Sequence, residues 1–166
     1  MRLQLAAWPE VENYLKTSSS IIIPIGSTEQ HGPNGLIGTD AICPTAIAYE
    51  LEEKIDVLIG PTLAVGMAQH HLGFPGSISF RPSTLLAVVR DVVESLTGQG
   101  FTHIYFLNGH GGNVATVTAA FSEVWSISSF AGSEAPPPCL RLRNWYLGPR
   151  VNRLSDELYG DAEGSH

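Results

Sequence analysis

Residues 20–40 read SIIIPIGSTEQHGPNGLIGTD, and the way this stretch is parsed decides the fold. Its first part, SIIIPIG, is a short unbroken apolar run closed by Gly26, the pattern of a strand buried on both faces. A loop rich in Gly and Pro follows. Then TDAICPTAIAYELEEK reads as a helix from about Asp40 to Lys54. The same order recurs downstream. DVLIGPTLAVG reads as one strand or two short ones, and STLLAVVRDVVESLTGQG as a helix that Ser83 can cap and that Gly98 and Gly100 end. THIYFLN is a strand, GHGGN a turn, VATVTAAFSEVWSIS a helix and CLRLRNWY a last strand. The tail VNRLSDELYGDAEGSH offers one helical turn. Alternating strand and helix predicts an α/β fold, a mainly parallel sheet with helices on both faces in three layers. Ligands of such sheets bind beyond the carboxyl ends of the strands. The loops after SIIIPI and THIYFLN are therefore expected to open onto one crevice.

The 166 residues suffice for one domain with a core, and no internal repeat divides them. With 43% hydrophobic and 15% charged residues the chain is globular rather than disordered. Sixteen acids against nine Lys and Arg leave a net charge of −7, which argues against nucleic acid as a partner. Cys43 and Cys139 form no CxxC pair, so a reducing compartment is expected. No basic start precedes an apolar run, and no run approaches the ~20 residues of a membrane span. The expectation is a cytoplasmic protein without a membrane partner.

Glu29 and His31 are two residues apart, which in an extended segment puts both side chains on one side. Asp40 lies nine residues beyond His31, close enough to swing toward the same point. Carboxylate oxygen and neutral imidazole nitrogen are the donors a divalent ion needs. Read singly, Asp40 is equally well a helix N-cap, Glu29 a solvated acid and His31 a loop donor. In LNGHGGN, three glycines after a strand allow close backbone approach. A phosphate cradle is the rival reading, but neither a Lys-Ser/Thr pair nor GxGxxG spacing is present. His110 at a strand's carboxyl end fits a ligand or an acid–base group better. Asn108 and Asn113 read as turn formers beside glycine. In QHHLGFPG, His70 is assigned to the crevice and His71 to the surface. His103 is read as structural, and Asp161, Glu163 and His166 as a frayed acidic end.

Taken together, PIGSTEQHGP…TD, GMAQHHLGFPGSISF and FLNGHGGN, in that order, closely resemble the creatininase (creatinine amidohydrolase) family. The likeness runs from about Trp8 to the chain's end. It implies a parallel sheet flanked by helices and a binuclear site of divalent ions, zinc with zinc, manganese or iron. It implies hydrolysis of an amide C–N bond, and homo-oligomers, hexamers among them. Carried over by residue, Glu29 and His110 bind the first metal, His31 the second, and Asp40 bridges both. His70 lies by the substrate, His166 near the substrate carbonyl, and Glu163 replaces an acidic neighbour.

Two departures from the family pattern matter. Creatinine-hydrolysing members carry a glutamate where this chain has Gly112, leaving the second metal only His31 and Asp40. Family chains also commonly run on for several tens of residues, with helix, substrate contacts and a completing acid, so residues 1–166 are expected to be a single domain without that segment. The reading is thus a metal-dependent amidohydrolase of a small cyclic or formyl amide, acting through a hydroxide that bridges the metals. The alternatives are a truncated or decayed non-catalytic metal-binding relative, and an anion-binding α/β module.

Overall fold

The computed structural model describes residues 1–132, 134 and 136–160. Its described elements are helix α1 (Trp8–Leu15), strand β1 (Ser20–Ile25), α2 (Thr39–Glu52), β2 (Leu58–Ile59), α3 (Pro82–Thr97), β3 (His103–Asn108), α4 (Val114–Phe130), β4 (Cys139–Asn144) and α5 (Pro149–Tyr159). The sheet order is β2-β1-β3-β4 and every pairing is parallel. Six register pairs, from Ser20–His103 to Ile25–Asn108, join β1 to β3 at the centre. The chain leaves β1 toward one edge of the sheet and β3 toward the other. The crevice between their carboxyl ends is therefore the switch point at which such sheets bind ligands.

Alternate side chains of the central strands enter opposite cores, as the period of two requires. Ile21, Ile23, Ile25, Ile104 and Phe106 pack with Leu85, Val89 and Val93 of α3 and Val117 and Phe121 of α4. Ile22 and Leu107 pack with Ala48 of α2. Helices thus cover both faces, as expected for a three-layer α/β/α protein. Pro24 survives in a central strand because its carbonyl faces the β2 side, accepting from the Leu63 N–H at 2.9 Å. Its missing donor falls where β2 has already given way to an irregular run.

Several local expectations are corrected. The strand expected over DVLIGPTLAVG shrinks to Leu58–Ile59, because Gly60 and Pro61 interrupt it; only isolated bridges at Leu63 and Gly66 continue it. Ser83 does not cap α3, which starts at Pro82 with Arg81 in the cap position; proline's fixed φ suits the first helical turn. α1 was not foreseen; the Glu10 carboxylate accepts the Ala7 N–H at 2.7 Å at its start. The helix expected as one turn in the tail is the eleven-residue α5, which starts at Pro149, ahead of that stretch. Glu163 and His166 lie outside the described residues. Among the described residues no helix is long and apolar enough to cross a membrane.

Candidate metal centre

α2 begins after Gly38, so Asp40 stands inside the first helical turn and is not the N-cap. Its side chain is thereby released from capping and turns inward. The position is set by backbone contact. A β-carbon at Gly26 or Gly109 would overlap the Asp40 carbonyl oxygen, so the ends of β1 and β3 must both be glycine for α2 to seat. Pro44, one turn on, has no N–H to return to that carbonyl. The first turn of α2 therefore rests on the two strand ends at the switch point.

Glu29, His31, Asp40 and His110 converge there. The His31 Nε2 lies 3.0 Å from Asp40 Oδ1, and the His110 Nδ1 lies 2.8 Å from Asp40 Oδ2 and 3.2 Å from Glu29 Oε1. Ligand atoms of Glu29, His31 and Asp40 all fall within 4.8 Å of one another. Glu29 is fully buried, and neither of its carboxylate oxygens has a hydrogen-bond partner among the described residues. A buried carboxylate that makes no hydrogen bond is costly unless a proton or a cation meets it.

The tautomers sharpen this. His110 Nε2 is 2.8 Å from the Met67 carbonyl, which can only accept, so Nε2 carries the proton. His31 Nδ1 likewise faces the Glu29 carbonyl at 3.1 Å. In neutral rings the opposite nitrogens are lone pairs, and both are aimed at Asp40, one at each oxygen. Lone pairs and carboxylates gathered around one space repel unless protons or metal ions lie between them. Burial works against a charged His110, but Asp40, the Met67 carbonyl and Glu29 outweigh it and raise its pKa. Without metal, a proton therefore tends to fill the place a cation would take. The donor set fits divalent ions, with Asp40 offering one oxygen toward each imidazole.

The turn that carries His110 is pinned by two buried asparagines. Asn108 Nδ2 donates to the His110 carbonyl at 2.6 Å. Asn113 Nδ2 donates to the Gly26 carbonyl at 2.9 Å, and its Oδ1 accepts the Met67 N–H at 3.0 Å. They do more than form a turn, since they bind the β1, β3 and Met67 segments together. The buried carboxylates beside GHGGN also oppose the phosphate-cradle reading, because they place negative charge where an anion would sit.

A cavity of about 440 Å³ opens over the centre, lined by Glu29, Asp40 and His110 and also by Trp145 and Tyr146. His70 lines it from an exposed position, as expected. The surface assignment of His71 is overturned. It is 7% exposed, lines the same cavity and lies 3.6 Å from Glu29. The cause is the 3-10 turn over Gln69–His71, which sends two adjacent rings to different depths. Trp145 and Tyr146 are functional candidates that the sequence reading leaves inside the last strand; that strand stops at Asn144, and a 3-10 turn over Trp145–Leu147 carries both rings at its carboxyl edge. Burial and the nearby Asp40 charge raise the Tyr146 pKa, so its hydroxyl keeps its proton. That side chain fills space left open by Gly111, whose β-carbon would stand 3.4 Å from the Tyr146 oxygen.

A family model described as "Creatininase: Creatinine amidohydrolase" matches residues 4–166. A mycofactocin precursor peptide peptidase of Mycolicibacterium smegmatis is 35% identical over 60% of this chain and 42% of its own length. A 3-dehydro-scyllo-inosose hydrolase of Thermotoga maritima is 29% identical over 97% of this chain and 48% of its own. The chain thus spans about half the length of the curated relatives it matches. Two solved structures, one described as "Creatininase Mn" and one of a mutant creatininase of "Zn-Zn type", each superpose with TM-score 0.85 at 24% identity, covering 96% and 99% of this chain and 64% of theirs. At that identity the likeness speaks for the fold.

Proposed function

We propose that this chain, which belongs to the creatininase family, is a metal-dependent hydrolase of a C–N bond in a small cyclic or formyl amide. The observation that carries the reading is the fully buried Glu29 carboxylate, gathered with Asp40 around the His110 nitrogen and with no Lys or Arg paired to it among the described residues. Glu29, His31, Asp40 and His110 would hold two divalent ions, zinc with zinc, manganese or iron. Bound there, such ions supply Lewis-acid polarisation of a carbonyl and lower the pKa of water toward 7.

The chain's own residues do the rest. Backbone carbonyls hold the His31 and His110 rings in the ligating tautomer. Asp40 spans the two imidazoles. The Tyr146 hydroxyl, which lines the same cavity, would donate to a polar atom of the substrate. His70 contacts substrate at the cavity mouth. His166 is the proposed carrier of a proton to the leaving nitrogen, with Glu163, three residues earlier in the sequence, as its acidic helper. A volume of about 440 Å³ suits a small molecule. Exposed Leu36, Leu72, Phe74 and Ile78 on loops near the site support association into a homo-oligomer, for which the proposal is a hexamer.

The test is metal content by mass spectrometry together with turnover on a panel of cyclic and formyl amides. Close to two ions per chain with turnover is expected. Metal without turnover favours a non-catalytic relative, and absence of metal refutes the centre.

A further inference from the structure

We infer that His71 is a positioning residue for Glu29, locked as a proton donor by Gln30. The inference rests on the reading of Glu29 as a metal ligand and names what orients it. Glu29, His70 and His71 can also be seen as a metal-binding group, since their ligand atoms lie within 4.8 Å of one another. Gln30 decides between the two roles.

The Gln30 amide has its orientation fixed by the backbone. Its Oε1 accepts the Gly32 N–H at 2.8 Å, which only an oxygen can do. Its Nε2, bearing only hydrogens, therefore faces His71 Nδ1 at 2.9 Å. That nitrogen must be the lone pair, so the proton of the neutral ring sits on Nε2. Nε2 is the atom 3.6 Å from Glu29 Oε1. A nitrogen carrying hydrogen cannot ligate a metal, but from 3.6 Å it faces, and can steer, the Glu29 oxygen that His110 Nδ1 approaches from 3.2 Å.

The frame behind this relay is rigid. Gln30 N–H donates to Ser77 Oγ at 3.2 Å, Ile78 N–H to the Thr28 carbonyl at 2.9 Å, and His71 N–H to the Ala68 carbonyl at 3.0 Å. The segment that presents Glu29 is thus tied to residues 77–78, and His71 is held within its own turn. The relay Gly32–Gln30–His71–Glu29 carries that rigidity to the carboxylate. It fixes which oxygen turns toward the ions, a role a lone ligand on a loop could not fill for itself.

The experiment is titration of metal-stripped protein with Zn²⁺ against a chromophoric chelator, with folding checked by circular dichroism. The variants are His71→Ala, His71→Gln, Gln30→Leu and Glu29→Gln. His71→Ala should weaken Zn²⁺ binding about 10–100-fold. His71→Gln, whose amide N–H can replace the donor, should recover most of the loss, and Gln30→Leu should fall between them. Wild-type affinity in His71→Ala, with Glu29→Gln impaired, would overturn the relay and leave the metal centre standing. Equal losses in His71→Ala and His71→Gln would overturn it too, since the ring would then act as ligand or filler. Unimpaired Glu29→Gln would sink the metal reading itself.

Discussion

Replacing Glu29 by Gln should raise the thermal stability of the metal-free protein and shrink the stabilisation that metal gives. In the metal-free state the wild type carries a fully buried Glu29 carboxylate beside a second one, Asp40, and the two share the single His110 Nδ1 at 3.2 and 2.8 Å. Leaving a buried polar group unsatisfied costs about 1–3 kcal/mol. The amide of Gln is nearly isosteric, removes the negative charge and adds a donor at the position 3.2 Å from His110 Nδ1. For a chain of this size each kcal/mol shifts Tm by roughly 2–4 °C. The variant in excess chelator should therefore melt about 2–10 °C above the wild type. With metal at a hundred times its Kd the wild type gains about 2.7 kcal/mol, and the variant, which binds more weakly, gains less. Differential scanning calorimetry with and without chelator measures both halves. Lower Tm of Glu29→Gln in chelator would refute the argument, because it would mean that the carboxylate is satisfied in the metal-free fold.

Three further outcomes follow from the same geometry. Gly109→Ala puts a methyl into the Asp40 carbonyl and 2.9 Å from Pro44 Cδ; overpacking of about 1–3 kcal/mol and weaker metal binding are expected, whereas Gly73→Ala, in open space, should change neither. Asn113→Ala orphans the Gly26 carbonyl and the Met67 N–H, so chemical denaturation should show a loss of about 2–5 kcal/mol. The raised His110 pKa implies stability that is fully present below its unfolded value of about 6.5 and lost as pH rises through the folded value. Metal-free protein melted at successive pH values should weaken across that window, while Zn²⁺ affinity measured in parallel should climb.

Much of this centre was legible in the residues because its parts are local in type. The apolar runs of β1 and β3 mark the two strands, and the loops after them carry Glu29, His31 and His110. The parallel-sheet rule brings those loops to one edge. What escaped depends on three-dimensional detail. His70 and His71 are indistinguishable by composition; a single 3-10 turn gives one to solvent and the other to Glu29. Gln30 looks like a loop filler until Gly32 is seen to hold its amide. Asp40, assigned to the metals but read singly as equally well a cap, is freed from that alternative only by seeing Gly38 in the cap position. Gly26 and Gly109 read as turn residues, but their requirement is contact with a helix distant in sequence.

The central pairing of β1 with β3 has a kinetic consequence. Its six register pairs join residues 20–25 to 103–108 across the whole of β2 and α3. Contacts so far apart in sequence close late, because the loop entropy must be met before they form. Glu29 and Asp40 on one side and His110 on the other come within reach only when that pairing is complete. A metal ion therefore meets its full ligand set after the rate-limiting barrier. Stopped-flow measurements should show unfolding slowed by added Zn²⁺ and refolding unchanged, the signature of an interaction absent from the transition state. The ion would then act as a latch on a finished fold and not as its nucleus.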